Sequence, residues 1–230
     1  MAQLTPASIR AHKSEMYEHF ARVAKALASG IRLEVLGLLE QTEYSVEALA
    51  DMLGQSLQNM SRHLQVLKQS RLVNTRKDGN FIYYRLSGPD VSQLLGALKA
   101  VSYEHLSEVE DVLERFHSHA NEFEAVGLEE LLARAHANEV VILDVRPANE
   151  FAEAHLPGAR NIPLFQLENR LSELPAETPI VAYCRGRYCL LAYAAVDFLM
   201  EKGLRAERLE DGIAEWKLRQ IPLDRVAAAG

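Results

Sequence analysis

Apolar residues in the first half of this chain recur every three to four positions. In the second half they come in short β-branched runs between helical stretches, and the change falls near residue 125. The first spacing is that of amphipathic helices, the second that of strands covered by helices. The first half predicts five helices and a hairpin. Glu15 to Ala28 is amphipathic; Gly30 interrupts it, and a second helix runs from about Ile31 to Glu40. Ser45 caps a third helix, which Gly54 ends, and Ser56 caps a fourth that reaches about Gln69. Val73 to Arg76 and Phe81 to Leu86 are strand-like, and Lys77-Asp-Gly-Asn80 between them carries a hairpin signal. Gly88-Pro89-Asp90 then starts a helix whose apolar positions, from Val91 to Phe116, keep the 3.6 period for about seven turns. So long an apolar stripe exceeds what one small domain buries, and it predicts a dimer seam.

In the second half, Val140 to Val145, Ile180 to Tyr183 and about Ala206 to Leu209 read as strands. Leu128 to Ala137, Phe151 to Ala154, Phe165 to Leu171 and Leu190 to Lys202 read as helices. Alternating strands and helices predict a parallel sheet covered on both faces, with active loops at the carboxyl ends of its strands. The boundary is placed between residues 122 and 123, giving domains 1–122 and 123–230.

At 230 residues there is room for two small domains. No apolar run reaches the ~20 residues of a membrane span, and Met-Ala-Gln-Leu-Thr-Pro6 lacks a signal pattern. The expectation is a cytoplasmic protein with no membrane partner. The net charge of −7 disfavours nucleic acid, but its distribution does not. From Arg62 to Arg85, Arg62, Lys68, Arg71, Arg76, Lys77 and Arg85 stand against Asp78 alone, and this compact basic footprint suits DNA.

Leu57, Met60, Leu64 and Leu67 share one face of the fourth helix and should pack inward. The other face carries Gln58, Asn59, Ser61, Arg62, Gln65 and Lys68, side chains that bond base edges and phosphates. With Ser56 and His63 beside them, and Arg76 and Lys77 on the hairpin, these are the candidate DNA-binding residues. A short helix, a Gly turn, a polar-faced helix and a basic hairpin make a winged helix-turn-helix, while composition alone also allows a merely solvated face.

The wording of the segment bears on that choice. Ser61-Arg-His-Leu-Gln-Val-Leu67, Arg71-Leu-Val73, Arg76-Lys-Asp-Gly79, Tyr83-Tyr-Arg-Leu86 and the earlier Ala26-Leu-Ala-Ser-Gly-Ile-Arg-Leu33 closely resemble the ArsR/SmtB family of dimeric repressors. The resemblance covers roughly residues 14 to 120. It implies homodimerisation through the first and last helices and release of operator DNA when an inducer binds. Many members sense metals through cysteines on the third helix, but Val46-Glu-Ala-Leu-Ala-Asp-Met-Leu53 has none. Another family site uses the last helix, where Glu104, His105, His117, His119 and Glu122 lack the family spacing. No metal ligand set and no cofactor is assigned.

The two cysteines lie five residues apart, in Cys184-Arg-Gly-Arg-Tyr-Cys189. Cys184 closes the apolar run from Pro179 and stands where a strand stops and a helix begins. A helix N-terminus offers unpaired N–H groups and partial positive charge, and Arg185 and Arg187 add more. All of this favours a thiolate at Cys184, the form that attacks sulfur. The candidate loop is Cys184, Arg185, Gly186, Arg187, Tyr188 and Cys189. Cys189 is either a resolving thiol or a small buried hydrophobe in the helix's first turn.

Leu143-Asp-Val-Arg146, Glu150-Phe151, His155-Leu-Pro-Gly-Ala-Arg-Asn-Ile-Pro163, the cysteine loop and Leu209-Glu-Asp-Gly-Ile-Ala-Glu-Trp216 are together similar to the rhodanese domain, across residues 126 to 223. That resemblance implies a Cys184 persulfide held by loop amides. The loop departs from the family form: Gly186 falls two after the cysteine rather than three, and Cys189 takes a place where arginine or a hydroxyl residue is common. Both changes count against efficient thiosulfate turnover, and they place two thiols where a disulfide or polysulfur bridge would form. Asp144 and Arg146 read as structural ties, Trp216 as core, and His136 and His155 have no inferred partner.

The fold expected is an α+β winged helix-turn-helix domain followed by an α/β rhodanese-like domain with a parallel central sheet. The function expected is a homodimeric DNA-binding repressor that senses or carries reactive sulfur on Cys184, with a small sulfur donor or oxidant as inducer. Two alternatives stay open: a sulfurtransferase whose first domain mainly dimerises, and a metalloid-responsive repressor with Cys184 as a soft ligand.

Overall fold

The computed structural model describes residues 5–116 and 125–226 and divides into two compact units, residues 1–95 and 96–230. The expected domain boundary at 122/123 lies outside the described residues, as do His117, His119 and Glu122. None of the described helices is long and apolar enough to cross a membrane.

In the first unit, α1 (Pro6–Leu27) begins well before the predicted Glu15. Thr5 caps it through a reciprocal bond pair with Ser8, and Pro6 takes the first helical position, where its missing N–H costs nothing. Then come α2 (Gly30–Leu39), a two-residue strand β1 (Tyr44–Ser45), α3 (Val46–Met52) and α4 (Leu57–Gln69). Ser45 and Ser56 accept from Ala48 N and Asn59 N at 3.2 Å each, the caps their positions predict. The strands β2 (Val73–Asp78) and β3 (Phe81–Leu86) pair antiparallel, with β1 on the free edge of β3. β2 runs two residues past the predicted Arg76, which leaves a two-residue turn, Gly79-Asn80. Gly79 has φ +57, a conformation that suits glycine at the first central position of such a turn.

Val35, Leu36, Leu49, Met60, Leu64 and Leu67 form the centre of this unit's core, joined by Val91 and Leu95 from α5 (Pro89–His105). Leu57 does not pack inward as its periodicity suggests; it stands 53% exposed in the first turn of α4, ahead of the core. The predicted seven-turn helix is two helices, α5 and α6 (Ser107–Phe116), broken at Leu106. Ser107-Glu-Val-Glu110 is itself a helix start, with acidic residues in the first turn, and Val109 N bonds the Leu106 carbonyl in a tightened turn.

The second unit holds a four-stranded parallel sheet of order β5-β4-β6-β7, made of β4 (Val141–Asp144), β5 (Arg160–Asn161), β6 (Ile180–Tyr183) and β7 (Ala206–Arg208). Side chains alternate across it. Ile180, Ala182 and Cys184 face one cluster with Ala192, Ala195, Val196 and Leu199 of α9 (Leu190–Glu201). Val181 and Tyr183 face another, with Leu131 of α7 (Leu128–His136) and with Ile213 and Trp216 of α10 (Ile213–Leu218). The short helix α8 (Ala148–Glu153) starts three residues before the predicted Phe151. The predicted helix Phe165–Leu171 is instead two 3-10 turns, Leu164–Gln166 and Glu168–Glu173, short connecting pieces of the kind such turns commonly form.

Candidate functional site

The first candidate surface is α4 with the β2–β3 hairpin. Gln58, Arg62 and Gln65 are exposed and sit at i, i+4 and i+7, so they form one row on the side of α4 opposite Met60, Leu64 and Leu67. Ser56 accepts a cap bond from the Asn59 amide, and the Asn59 side chain donates to Gln55 Oε1 at 2.6 Å. Ser61 and His63 are half-buried. Lys68 Nζ donates to Thr75 Oγ1 at 3.3 Å, linking the helix to the hairpin. Lys77 is exposed. Arg76 is held by Glu43 and Asp78, with Nη2 2.5 Å from the Glu43 carboxylate and Nη1 3.0 Å from Asp78, and these partners raise its pKa. Its guanidinium also lies over the Tyr83 ring, 4.8 Å from the centroid.

The second candidate site is the loop between β6 and α9. Cys184 is the first residue past β6, and Cys189 caps α9. Cys184 is buried, 2% exposed, and its Sγ donates to the Cys189 carbonyl oxygen at 3.4 Å. Burial pushes the Cys184 thiol well above its ordinary pKa, and its hydrogen bond to the Cys189 side chain pushes the same way. That bond draws Cys189 down to about 7, helped by the charge of Arg185. Sequence reasoning expects Cys184 itself to be the acidic thiol, and its burial at the end of β6 acts against that. The two thiols shift in opposite directions, Cys184 upward chiefly by burial and Cys189 downward chiefly by the bond from its neighbour.

The loop is tied down from below. Ile213 N and Ala214 N, at the start of α10, donate to the Cys184 and Arg185 carbonyls at 3.4 and 3.0 Å. Glu215 accepts from Gly212 N at 2.9 Å and from Arg187 N at 3.5 Å. Arg185 reaches across to Glu150, with Nη2 2.7 Å from a carboxylate that is completely buried. Arg187 pairs with Glu210 at 2.8 Å and Asp211 at 3.1 Å. The Tyr188 ring contacts Tyr103 of α5 at 5.3 Å, within the second unit.

Glu150, Asp211, Gly212 and Glu215 all lie in stretches that carry the rhodanese resemblance, but their work on the loop has no signature in sequence spacing. Asp144 and Arg146 are fully buried and paired at 2.6 Å, and Arg146 also donates to the Ala154 carbonyl. Asn161 bonds the carbonyls of both. Trp216 is fully buried and meets Tyr183 edge-on at 5.1 Å. His155 bonds the Phe151 carbonyl and stacks on its ring, while His136 is exposed at the end of α7. Glu104 and His105 lie in the exposed last turn of α5, and among the described residues no three His, Cys, Asp or Glu side chains are grouped to hold a metal.

Residues 127–219 match the family described as "Rhodanese-like domain", and residues 27–76 match one described as "Helix-turn-helix domain". An "HTH-type transcriptional regulator" of Mycobacterium tuberculosis is 43% identical over 222 residues, covering 95% of this chain and 96% of its own length. A "Sulfurtransferase" of Allochromatium vinosum is 31% identical over 104 residues, 45% of this chain and 94% of that one. The solution structure of a homodimeric winged helix-turn-helix DNA-binding domain from Mycobacterium bovis is 42% identical, covers 46% of this chain and 94% of that one, and has a TM-score of 0.41.

Proposed function

The chain belongs to the HTH-type transcriptional regulators in which an ArsR-like winged helix precedes a rhodanese-like domain, and from this we propose that it represses transcription as a homodimer whose hold on operator DNA depends on reactive sulfur carried by Cys184. The observation that carries the sulfur reading is the buried Cys184 thiol just past β6, its Sγ donating at 3.4 Å to the carbonyl of Cys189, the second thiol of the loop. Deprotonation of Cys184 creates the thiolate that attacks a sulfane sulfur. Attack of the Cys189 thiolate on the Cys184 sulfur of the resulting persulfide would then break its outer S–S bond, release HS⁻ and close a disulfide between the two residues. For DNA, the exposed row Gln58, Arg62 and Gln65 supplies base-reading groups, and Lys77 supplies charge on the wing. For the dimer, Ile9, Met16, Tyr17 and Phe20 on α1, and Val101, Leu106, Val112 and Phe116 on α5, α6 and their junction, are exposed apolar side chains.

The experiment is DNA binding by wild type and by Cys184→Ser, with and without a persulfide donor. Donor-dependent release in wild type and none in the variant supports the reading. Unchanged affinity in wild type whose Cys184 is loaded with sulfur refutes the switch. A second reading, sulfur transfer as an enzyme, is favoured by the similarity of the second domain to nearly the whole of a protein named as a sulfurtransferase. Catalytic turnover to a thiol acceptor, without effect on DNA, would establish it instead.

A further inference from the structure

The cysteine loop is fastened at its Cys184 end. Ile213 N and Ala214 N of α10 hold the Cys184 and Arg185 carbonyls at 3.4 and 3.0 Å, and Gly186 lies against Gly212. At the other end, Cys189 N closes a turn on the Gly186 carbonyl at 3.0 Å, and Tyr188 rides in that turn. The Tyr188 ring meets Tyr103 of α5, with centroids 5.3 Å apart and planes tilted by 43°, inside the range of aromatic pairs. Burial is the main cause that lifts the hydroxyls of Tyr188 and of Tyr193, in the first turn of α9, and the nearby Tyr103 adds to both. By the helical period α5 has three faces. Val91 and Leu95, four apart, share the first unit's core with Met60, Leu64 and Leu67 of α4. Gly96 and Tyr103, seven apart, share a second face, and a β-carbon on Gly96 would stand 4.0 Å from Leu218 of α10. Leu94 and Val101, also seven apart, are exposed on the third. One unbroken helix thus begins in the core that seats α4 and ends beside the turn that carries Cys189.

Resting on the reading of Cys184 as a sulfur carrier, we propose that Tyr103 is the residue through which the sulfur state of the loop acts on DNA binding, by way of its ring contact with Tyr188. In the dithiol state the Cys184 Sγ donates to the Cys189 carbonyl at 3.4 Å. The Cys184 thiolate takes the outer sulfur of a persulfide donor R–S–SH and releases R–S⁻. The Cys189 thiolate then attacks the Cys184 sulfur, breaks its bond to the added sulfur and releases HS⁻. The donor's outer sulfur is reduced, the two thiols are oxidised to a disulfide, and no other co-reactant is needed. The bridged Cys184 has no hydrogen left for the Cys189 carbonyl, and the two sulfurs must close to about 2.05 Å. The Cys184 end is fastened to α10, so the turn with Tyr188 and Cys189 makes the movement and changes how Tyr188 sits on Tyr103. α5 is rigid, and a displacement of its last turns is carried along the helix to Val91 and Leu95.

The test uses the full chain as dithiol and after treatment with cysteine persulfide, with the bridge counted by mass spectrometry. The DNA is a duplex selected from a random pool by the dithiol protein. Wild type should lose affinity about 5- to 150-fold on bridging, the usual range of coupling between sites. Tyr103→Ala should bridge to the same extent and lose no more than about threefold, while Tyr103→Phe, which keeps the ring, should follow wild type. Hydrogen exchange on wild type without DNA is the second measurement, and bridging should alter the protection of α5 amides both around Tyr103 and around Val91. Equal losses in wild type and Tyr103→Ala, or α5 protection that bridging leaves in place, overturn the coupling through Tyr103 and leave the sulfur switch standing. A wild type that bridges fully and keeps its affinity overturns the switch, and the coupling with it.

Discussion

Gly212 stands so close to Gly186 that a β-carbon on it would come to 2.4 Å from the Gly186 nitrogen and 2.6 Å from the Cys184 carbonyl oxygen. The start of α10 therefore fixes the shape of the cysteine loop by backbone contact, and only glycine allows the approach. Gly212→Ala should push the loop away from α10 and break the Ile213 and Ala214 bonds to its carbonyls. The expected cost is about 1–3 kcal/mol, the range for overpacking. Sulfur loading at Cys184 should be lost while the second unit remains folded. Chemical denaturation and mass spectrometry on the same sample check both halves, and full loading in this variant would show that the loop holds its shape without α10.

The two thiols should separate by pH. Cys189 has its pKa lowered, to about 7, so its thiolate appears as pH rises through that value, earlier than for an ordinary thiol. Alkylation of wild type should reach half its maximal rate near pH 7 at Cys189, with Cys184 reacting more slowly at every pH. Cys184→Ala removes the hydrogen bond that is the largest cause of the shift, so the Cys189 profile should move to higher pH. Peptide mapping after timed iodoacetamide treatment reads this directly. Faster alkylation at Cys184 would reverse the assignment.

Glu43 should restrain DNA binding. Lys77 is exposed on the wing, while Arg76 is engaged with Glu43 and Asp78. Lys77→Ala should lower the slope of log affinity against log salt by about one, the amount for one phosphate contact. Arg76→Ala should lower it less. Glu43→Gln should leave Arg76 held by Asp78 alone and steepen the slope by less than about one. Anisotropy titrations at several salt concentrations decide the matter, and an unchanged slope for Glu43→Gln would mean that the pair opens freely on DNA.

Charges on the exposed apolar side chains should leave monomers. Phe20 of α1 is 58% exposed and Val101 of α5 is 56% exposed. Phe20→Glu and Val101→Glu should each shift sedimentation toward monomer and weaken binding to a palindrome whose half-sites lie about 34–36 Å apart, because a monomer reads one half-site. A wild-type protein that sediments as a monomer at micromolar concentration would remove the basis for both variants.

What the sequence determined by itself is local and periodic. Ser45 and Ser56 cap helices because a serine before an apolar helical run has few other uses. Ile180 to Tyr183 is a strand because four apolar residues that end at a cysteine loop are too short a run for a helix. The two-domain architecture follows from the change of period near residue 125, and the order of the motif stretches points to the families. Even the break at Leu106 had a signal, in Ser107-Glu-Val-Glu110, hidden by an apolar stripe that runs on through it. What only the tertiary structure decided is every property set by neighbours distant in the chain. Leu57 fits the inward period but projects beyond the core. Glu43 reaches Arg76 from another element and Glu150 reaches Arg185. Burial at the end of β6 raises the Cys184 thiol despite the helix N-terminus that the sequence places beside it, and the neighbouring thiol lowers Cys189. Periodicity reports which face of an element is apolar. It does not report how deep an atom is buried or which charge arrives from the next loop, and those two quantities set the chemistry of a thiol.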